Sequence, residues 1–354
     1  MVRTRLTIQT IDLHCGGEPL RLITSGYPPV PAGTVLERRR WALAHADHVR
    51  RTVVLEPRGH RDMYAAVLLP SGRPDADLTV LFMHNEGYST MCGHGTIALA
   101  TALVEEGLFP ATEPETVIRL EAPAGIVTAH AAVRRASPDA APEVTGVRFD
   151  NVASYLAARD LAVDPDGLER PTAGPLHVDI GFGGAYYGIV DAADLGLRVV
   201  PAQTEALTRA GATITDVLRR DHTPTHPTDA DLGFVYGTII VDHDPASAPD
   251  GRARDADIRN VTVFADAEVD RSPCGSGTSA LLAQAGTRGA LAVGGTMRNA
   301  SLTGAVFEGR LDGPATIGRQ AAWQTSVAGT AYVTGYSTFV VDERDPLGDG
   351  FLLR

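Results

Sequence analysis

Two short stretches hold the residue types best suited to chemistry: "CGHGTIALA", beginning at Cys92, and "CGSGTSALL", beginning at Cys274. They share Cys, Gly, Gly, Thr, Ala and Leu at the same offsets. Upstream, Phe82 and Phe264 close apolar runs at matching distances, and Glu86 and Glu268 fall at matching places between. Strand, glycine-rich turn, cysteine and helix, in that order, put each sulfur and the backbone N–H groups after it at a helix N-terminus. Unsatisfied N–H groups and the positive end of the helix dipole favour anions there. A thiolate is therefore expected to be stabilised. The N–H groups of Gly93, His94, Gly275 and Ser276 can hold a carboxylate, and the glycines keep the approach free of Cβ atoms. Two thiols on opposite sides of a carboxylate-bearing carbon suit one reaction. One sulfur removes the α-proton, the other returns a proton to the opposite face, and the configuration inverts. Their titrations would be coupled. A dense set of N–H donors is the electrostatic help that such a weak carbon acid needs without a cofactor.

A lone glycine-flanked cysteine is more often a small buried residue than a base. The duplication is what raises the two motifs above that reading. Cys15, in "DLHCGGEP", has no repeat partner and reads as structural.

The elements that must position these thiols are mostly short strands. "LTIQTIDLH", "TVVLEP", "MYAAVLLP" and "LTVLFM" read as β, and the helix after Cys92 is expected to stop at Gly107. "TVIRLEAPAG" and "IVTAHAAVRR" form a strand pair turning at Gly125. Further on, "LHVDIGFGGAYYGIVD", "LGFVYGTIIVD" and "IRNVTVFAD" are again β, while "PAQTEALTRAGATITDVLRR" is an amphipathic helix. The Pro- and Gly-rich segment "YLAARDLAVDPDGLERPTAGP" suggests a domain crossing.

With 354 residues, 44% apolar and 21% charged, the chain is expected to bury two cores. A net charge of -12 disfavours nucleic acid as a partner. No apolar run approaches the roughly 18 residues of a membrane span, and the start lacks a signal-peptide block, so a cytoplasmic protein is expected. Three cysteines at irregular spacing fit neither a disulfide framework nor a zinc site, so reduced thiols and no metal are expected. The chain has no lysine, so all 31 basic residues are arginine. That removes Schiff-base chemistry, pyridoxal phosphate included, and the P-loop. The histidine pairs His45/His48 and His222/His226 are expected at the surface, and Arg38 to Arg40 are expected to form a solvated face.

"MCGHGTIA" and "DRSPCGSGTSA" resemble the two signature motifs of the proline racemase family, which includes hydroxyproline 2-epimerases and trans-3-hydroxy-L-proline dehydratases. The likeness continues through "IDLHCGGEPLR", "LEPRGHRDMYAAVL", "EAPAGIV", "DIGFGGAYYGIVD" and "DPLGDGFLLR". It implies an α/β fold of the α+β type, similar to diaminopimelate epimerase. Two pseudo-symmetric domains, each a curled and mostly antiparallel sheet around a central helix, would hold the site in the cleft between them. The domains are expected at residues 1–168 and 169–334, with 335–354 returning to the first. The resemblance makes Cys92 and Cys274 the paired acid and base, and Gly93, His94, Gly275 and Ser276 the carboxylate clamp. It makes His94 and Asp270 the pair that holds the ring nitrogen, and lets Gly183, Gly184 and Tyr186 line the ring pocket. The substrate would be a small molecule, proline or a hydroxyproline, turned over without a cofactor. Cleft enzymes of this size are often homodimers.

Dehydratases of the family typically carry threonine at the second catalytic position, whereas this chain has Cys274. Elimination of a β-hydroxyl needs a base on one face only, while inversion needs a proton donor on the other. Inversion is therefore the expected reaction, with dehydration the alternative; a non-catalytic amino-acid-binding protein is the reading from another class.

Overall fold

The computed structural model describes residues 4–248, 251 and 253–353. The chain runs through β1 (Thr4–Cys15), β2 (Glu18–Ser25), α1 (Val35–His45), α2 (Asp47–Val54), β3 (Ala65–Pro70) and β4 (Leu78–Met83). It continues with α3 (Gly93–Glu105), β5 (Glu115–Ala122), β6 (Gly125–Arg134) and β7 (Glu143–Asp150). Next come β8 (Tyr155–Val163), β9 (Leu176–Phe182), β10 (Tyr186–Asp191), α4 (Thr204–Asp221), β11 (Val235–Asp242) and β12 (Ile258–Phe264). The last elements are β13 (Glu268–Asp270), α5 (Gly275–Thr287), β14 (Thr296–Ala300), β15 (Val306–Ile317), β16 (Gln320–Gly329) and β17 (Ala331–Asp342).

These elements form two compact units: the chain up to Phe149 together with the segment from Thr330, and the continuous stretch Asp150–Gly329. In the first unit β1 pairs antiparallel with both β17 and β2, β2 runs parallel to β3, β3 antiparallel to β4, β4 parallel to β5, and β5 antiparallel to β6. In the second, β9 pairs antiparallel with both β8 and β10, and β10 runs parallel to β11. Then β11 is antiparallel to β12, β12 parallel to β14, and β14 antiparallel to β15. The order of pairings is the same, so the repeat seen around the two cysteines is a repeat of topology.

The units do not divide where the Pro- and Gly-rich segment suggested. β8 belongs to the second unit and pairs with β9 from Tyr155↔Phe182 to Val163↔Leu176 through two register shifts, so that segment holds β8 and its connection to β9. The division comes earlier, at Asp150, and the return comes at Thr330 because β17 must lie beside β1.

Each unit is built around one helix. α3 is buried at every residue from Gly93 to Val104 and packs against β1, β2, β5, β6 and β17. α5 is buried from Gly275 to Ala283 and packs against β8, β9, β10, β15 and β16. A helix apolar on all sides has to sit inside a core, and the sheet curls to supply it. α3 ends where expected, with Gly107 in the left-handed region at φ +66° just past the cap. Outside the sheets, α1 and α2 link parallel β2 and β3, and α4 links parallel β10 and β11, the crossover that parallel neighbours require. α1 opens with a capping box, Thr34 Oγ1 accepting from the Glu37 N–H and Glu37 Oε2 from the Thr34 N–H. None of the described helices is long and apolar enough to cross a membrane.

Several arginines, the chain's only basic residues apart from histidine, turn inward. Arg38 is buried and donates to the Pro70 carbonyl at 2.6 Å; Arg39 donates twice to the Tyr88 carbonyl, at 3.0 and 2.6 Å. Of the expected solvated face only Arg40 is exposed. Arg50, held by Asp47 at 2.6 Å, donates to the His84 carbonyl at 2.8 Å. Two guanidiniums thus tie down the backbone that leads into Cys92, using the fork of donors a lysine lacks. His45 and His48 are exposed as expected, but His226 is buried against the Phe182 ring at 5.0 Å, and burial lowers its pKa.

Arg21 is another inward arginine. It grips Asp12 with two bonds of 2.8 and 3.0 Å, donates to the Val53 and Arg58 carbonyls at 2.7 and 2.6 Å, and lies over the Phe339 ring at 4.4 Å. Its replacement, Arg21→Met, leaves Asp12 and two carbonyls without those donors and should cost about 3 kcal/mol in urea unfolding. A loss below about 0.5 kcal/mol would show that the cluster contributes no more than an exposed ion pair.

Candidate active site

In the first unit Cys92 is the N-cap of α3, with extended backbone at φ −146° and ψ 112°. Its sulfur accepts the Gly95 N–H at 3.2 Å, and its carbonyl takes both the Thr96 N–H at 3.0 Å and the Thr96 hydroxyl at 2.8 Å. The thiol is buried, and so is the His94 ring, whose Nδ1 and Nε2 lie 3.4 and 3.6 Å from Sγ. Tyr64 packs edge-on against that imidazole at 4.9 Å. A Cβ at Gly95 would fall 2.6 Å from the Phe82 ring and 2.8 Å from Cys92 Sγ. In the second unit a Cβ at Gly277 would fall 3.0 Å from Cys274 Sγ. The repeated second glycine is there because each sulfur lies across the first turn of its own helix.

Cys274 also starts its helix, but from a different backbone. Its φ is +60°, a left-handed value that a residue with a Cβ adopts only when its surroundings force it. The forcing is visible on both sides. Ser272 N–H donates to Asp270 Oδ1 at 2.8 Å, and Ser272 Oγ accepts the Cys274 N–H at 3.1 Å. The Pro273 carbonyl takes the side-chain amides of Asn260 and Asn299 at 3.0 and 3.2 Å, and the Cys274 carbonyl takes the Thr278 N–H at 2.7 Å.

The electrostatics of this half differ from the expectation. Burial pushes the Cys274 thiol up to about 12, and the charge of Asp270 adds to it. The Thr262 hydroxyl, the Gly277 N–H and the Ser276 hydroxyl favour the thiolate and lose. At Cys274 the helix N-terminus therefore does not win, and the resting group is a thiol able to donate. Asp270, itself buried, is raised to about 6, chiefly by desolvation, against the bonds from Ser272 and the Cys274 thiol.

Gly183 and Gly184 form the turn between β9 and β10, Gly184 with φ +105°. A Cβ at Gly183 would sit 2.1 Å from the Ser276 carbonyl oxygen and 2.9 Å from Ala280 N, so this turn lies against the first turn of α5. Within the second unit Asp270, Cys274, Gly275, Ser276 and Gly183 are brought together; within the first, Cys92, Gly93 and His94 are. Tyr186 is not among them. Its hydroxyl pairs with Tyr155 and donates to the Thr225 carbonyl at 3.2 Å, and its ring packs on Phe182 at 4.8 Å. Tyr187, on the opposite face of β10, reaches Ser276 Oγ at 2.7 Å. The signal for Tyr187 was register: it pairs with Gly181, whose missing side chain admits Ala280 of α5, and cross-strand partners share a face. Ser272 was also missed, for its role exists only once Asp270 and Cys274 are placed. Cys15 is buried at the end of β1, as a structural residue would be.

A family model described as proline racemase matches residues 10–352. A 3-hydroxyproline 2-epimerase from Burkholderia multivorans is 44% identical over 349 residues, covering 98% of each chain. A trans-3-hydroxy-L-proline dehydratase from Burkholderia cenocepacia is 43% identical over 348 residues, again with 98% of each covered. Among solved structures, a hydroxyproline epimerase from Agrobacterium vitis with bound trans-4-hydroxy-L-proline superposes with a TM-score of 0.89 at 30% identity, covering 100% of this chain and 96% of that one.

Burial raises Asp270 from 3.8 towards 6, so the folded protein binds this proton more tightly than the unfolded chain does. The stability it contributes is complete below the unfolded value and lost as pH rises through the folded one. Between about pH 4 and pH 7, wild-type protein should therefore lose about 3 kcal/mol relative to Asp270→Asn in urea unfolding. Parallel pH profiles for the two proteins would show that the fold does not favour the neutral carboxyl.

Proposed function

The chain belongs to the proline racemase family, and from that membership we propose that it is a 2-epimerase or racemase of a hydroxyproline or proline, working through two thiols. The reading is supported above all by the repeated arrangement of a buried cysteine at the N-cap of each unit's central helix. Cys92 as thiolate takes the α-proton. The electron pair left behind delocalises into the carboxylate, where first-turn N–H groups of Gly93, His94, Gly275 and Ser276 stabilise it. Cys274 gives its proton to the other face of the carbon, and a turnover in the reverse direction, or exchange of the two thiol protons with water, restores the two sulfurs.

His94 and Asp270 hold the ring nitrogen. A cationic amine beside Asp270 opposes the desolvation that raises its pKa and holds the carboxyl in its charged form, and the amine's positive charge offsets that negative charge beside Cys274. The raised pKa of Cys274 supports its role as the group that begins as acid.

Dehydration of trans-3-hydroxy-L-proline is the second reading, favoured by the 43% identical dehydratase. In it Cys92 takes the same α-proton, the electron pair expels the β-hydroxyl, which leaves as water with a proton from one of the two thiols, and no proton is returned to the α-carbon.

Proton NMR in deuterated water over proline and the 3- and 4-hydroxyprolines tests both. The expected result is α-deuteration together with the 2-epimer from at least one ring; loss of trans-3-hydroxy-L-proline to pyrroline carboxylate without inversion would replace the first reading by the second. Cys274→Ser should lower inversion by roughly 10²- to 10⁴-fold, the range for loss of a positioned acid–base group. Inversion at the wild-type rate would remove Cys274 from the mechanism.

A further inference from the structure

We propose that Tyr187 and Ser276 form a one-way hydroxyl chain ending on the Cys274 sulfur, in which Tyr187 is a positioning residue that points the Ser276 proton at the thiol. The proposal rests on the acid–base role argued above for Cys274. The Tyr187 hydroxyl lies 2.7 Å from Ser276 Oγ, its only hydrogen-bond partner among the described residues, and Ser276 Oγ lies 3.8 Å from Cys274 Sγ. A hydroxyl has one proton and two lone pairs. If Ser276 donated to Tyr187, the phenol's own proton would have no acceptor and the sulfur would face a lone pair. If Tyr187 donates to Ser276, the serine proton is released towards the sulfur and every group is used. The phenol cannot escape by ionising, because burial holds its pKa well above the usual value.

The chain matters because of what else faces this sulfur. Asp270 on β13 brings a negative charge that opposes a thiolate, with Arg271 beside it in partial compensation. Thr262 on β12 and the Gly277 N–H of α5 favour the thiolate, and Tyr236 on β11 packs edge-on against Tyr187 at 5.9 Å. Between a carboxylate that resists ionisation and donors that assist it, the direction of one serine proton has leverage. The duplicated position sharpens the contrast. Where the second unit has Ser276, the first has His94, whose ring nitrogens lie 3.4 and 3.6 Å from Cys92. One sulfur meets a titratable ring directly; the other meets a hydroxyl aimed from behind by a phenol that keeps its proton.

The test reads alkylation of each cysteine by iodoacetamide near pH 9, resolved by peptide mass, in the full-length wild type, Tyr187→Phe, Ser276→Ala and the double variant. Losing the aimed proton should raise the Cys274 pKa by about one unit; the thiolate fraction then falls about tenfold, partly offset by a more nucleophilic thiolate, for a net slowing of about threefold. Cys92 in the same sample should react at the wild-type rate, and the double variant should be no slower than Ser276→Ala alone. An unchanged Cys274 rate, equal slowing of both cysteines, or effects that multiply in the double variant would overturn the chain. Should Tyr187→Phe not fold, Ser276→Ala must slow Cys274 and spare Cys92, or the proposal fails. Because alkylation requires no turnover, a failed inversion assay would count against the function and leave this result standing.

Discussion

A helix leaves its opening N–H groups without partners of its own, and when that end is buried something else has to meet them. In both units of this protein the central helix opens inside the core, and in both a cysteine stands at the cap. Much of the local architecture serves that end. The second glycine of each motif lets the sulfur lie across the first turn, Gly183 lets a neighbouring hairpin close over α5, and the arginines of α1 and α2 fix the approach to α3. A buried site rich in donors and poor in water is one in which the charge of a deprotonated amino acid can be carried by fixed dipoles.

Duplication gave the protein two similar thiols, and the surrounding side chains have made them unlike. Cys92 caps its helix from an ordinary extended backbone, with an imidazole alongside. Cys274 is forced into left-handed backbone by the bonds through Ser272 and Pro273, with the Ser276 hydroxyl where the first unit has its imidazole and the Asp270 carboxyl close by. The two-thiol inversion we propose needs its proton carriers in opposite states at the start of a turnover, and unequal settings of this kind would bias which sulfur holds the proton.

What the sequence made legible was periodic or local. The paired motifs, the end of α3 at Gly107 and the amphipathic α4 all lie within a few turns of the residues that signal them. What it hid was tertiary. Helix-start logic at Cys274 is a local argument, and it was outweighed by burial and by Asp270, whose effect depends on β13 folding back beside the cysteine. Arg38 and Arg39 read as a solvated charge run because nothing nearby in sequence reveals the carbonyls of Pro70 and Tyr88. Tyr186 and Tyr187 are chemically identical neighbours, and only strand register says which one faces α5.

The return of β17 to the first unit bears on synthesis. β1 leaves the ribosome long before β17, the partner that covers one of its edges. The second unit, continuous in sequence, can close its own sheet while the first still shows an open edge, the feature most prone to pairing with a neighbouring chain. In this topology the half that begins first is finished last, and nascent chains are most exposed to one another in the interval between.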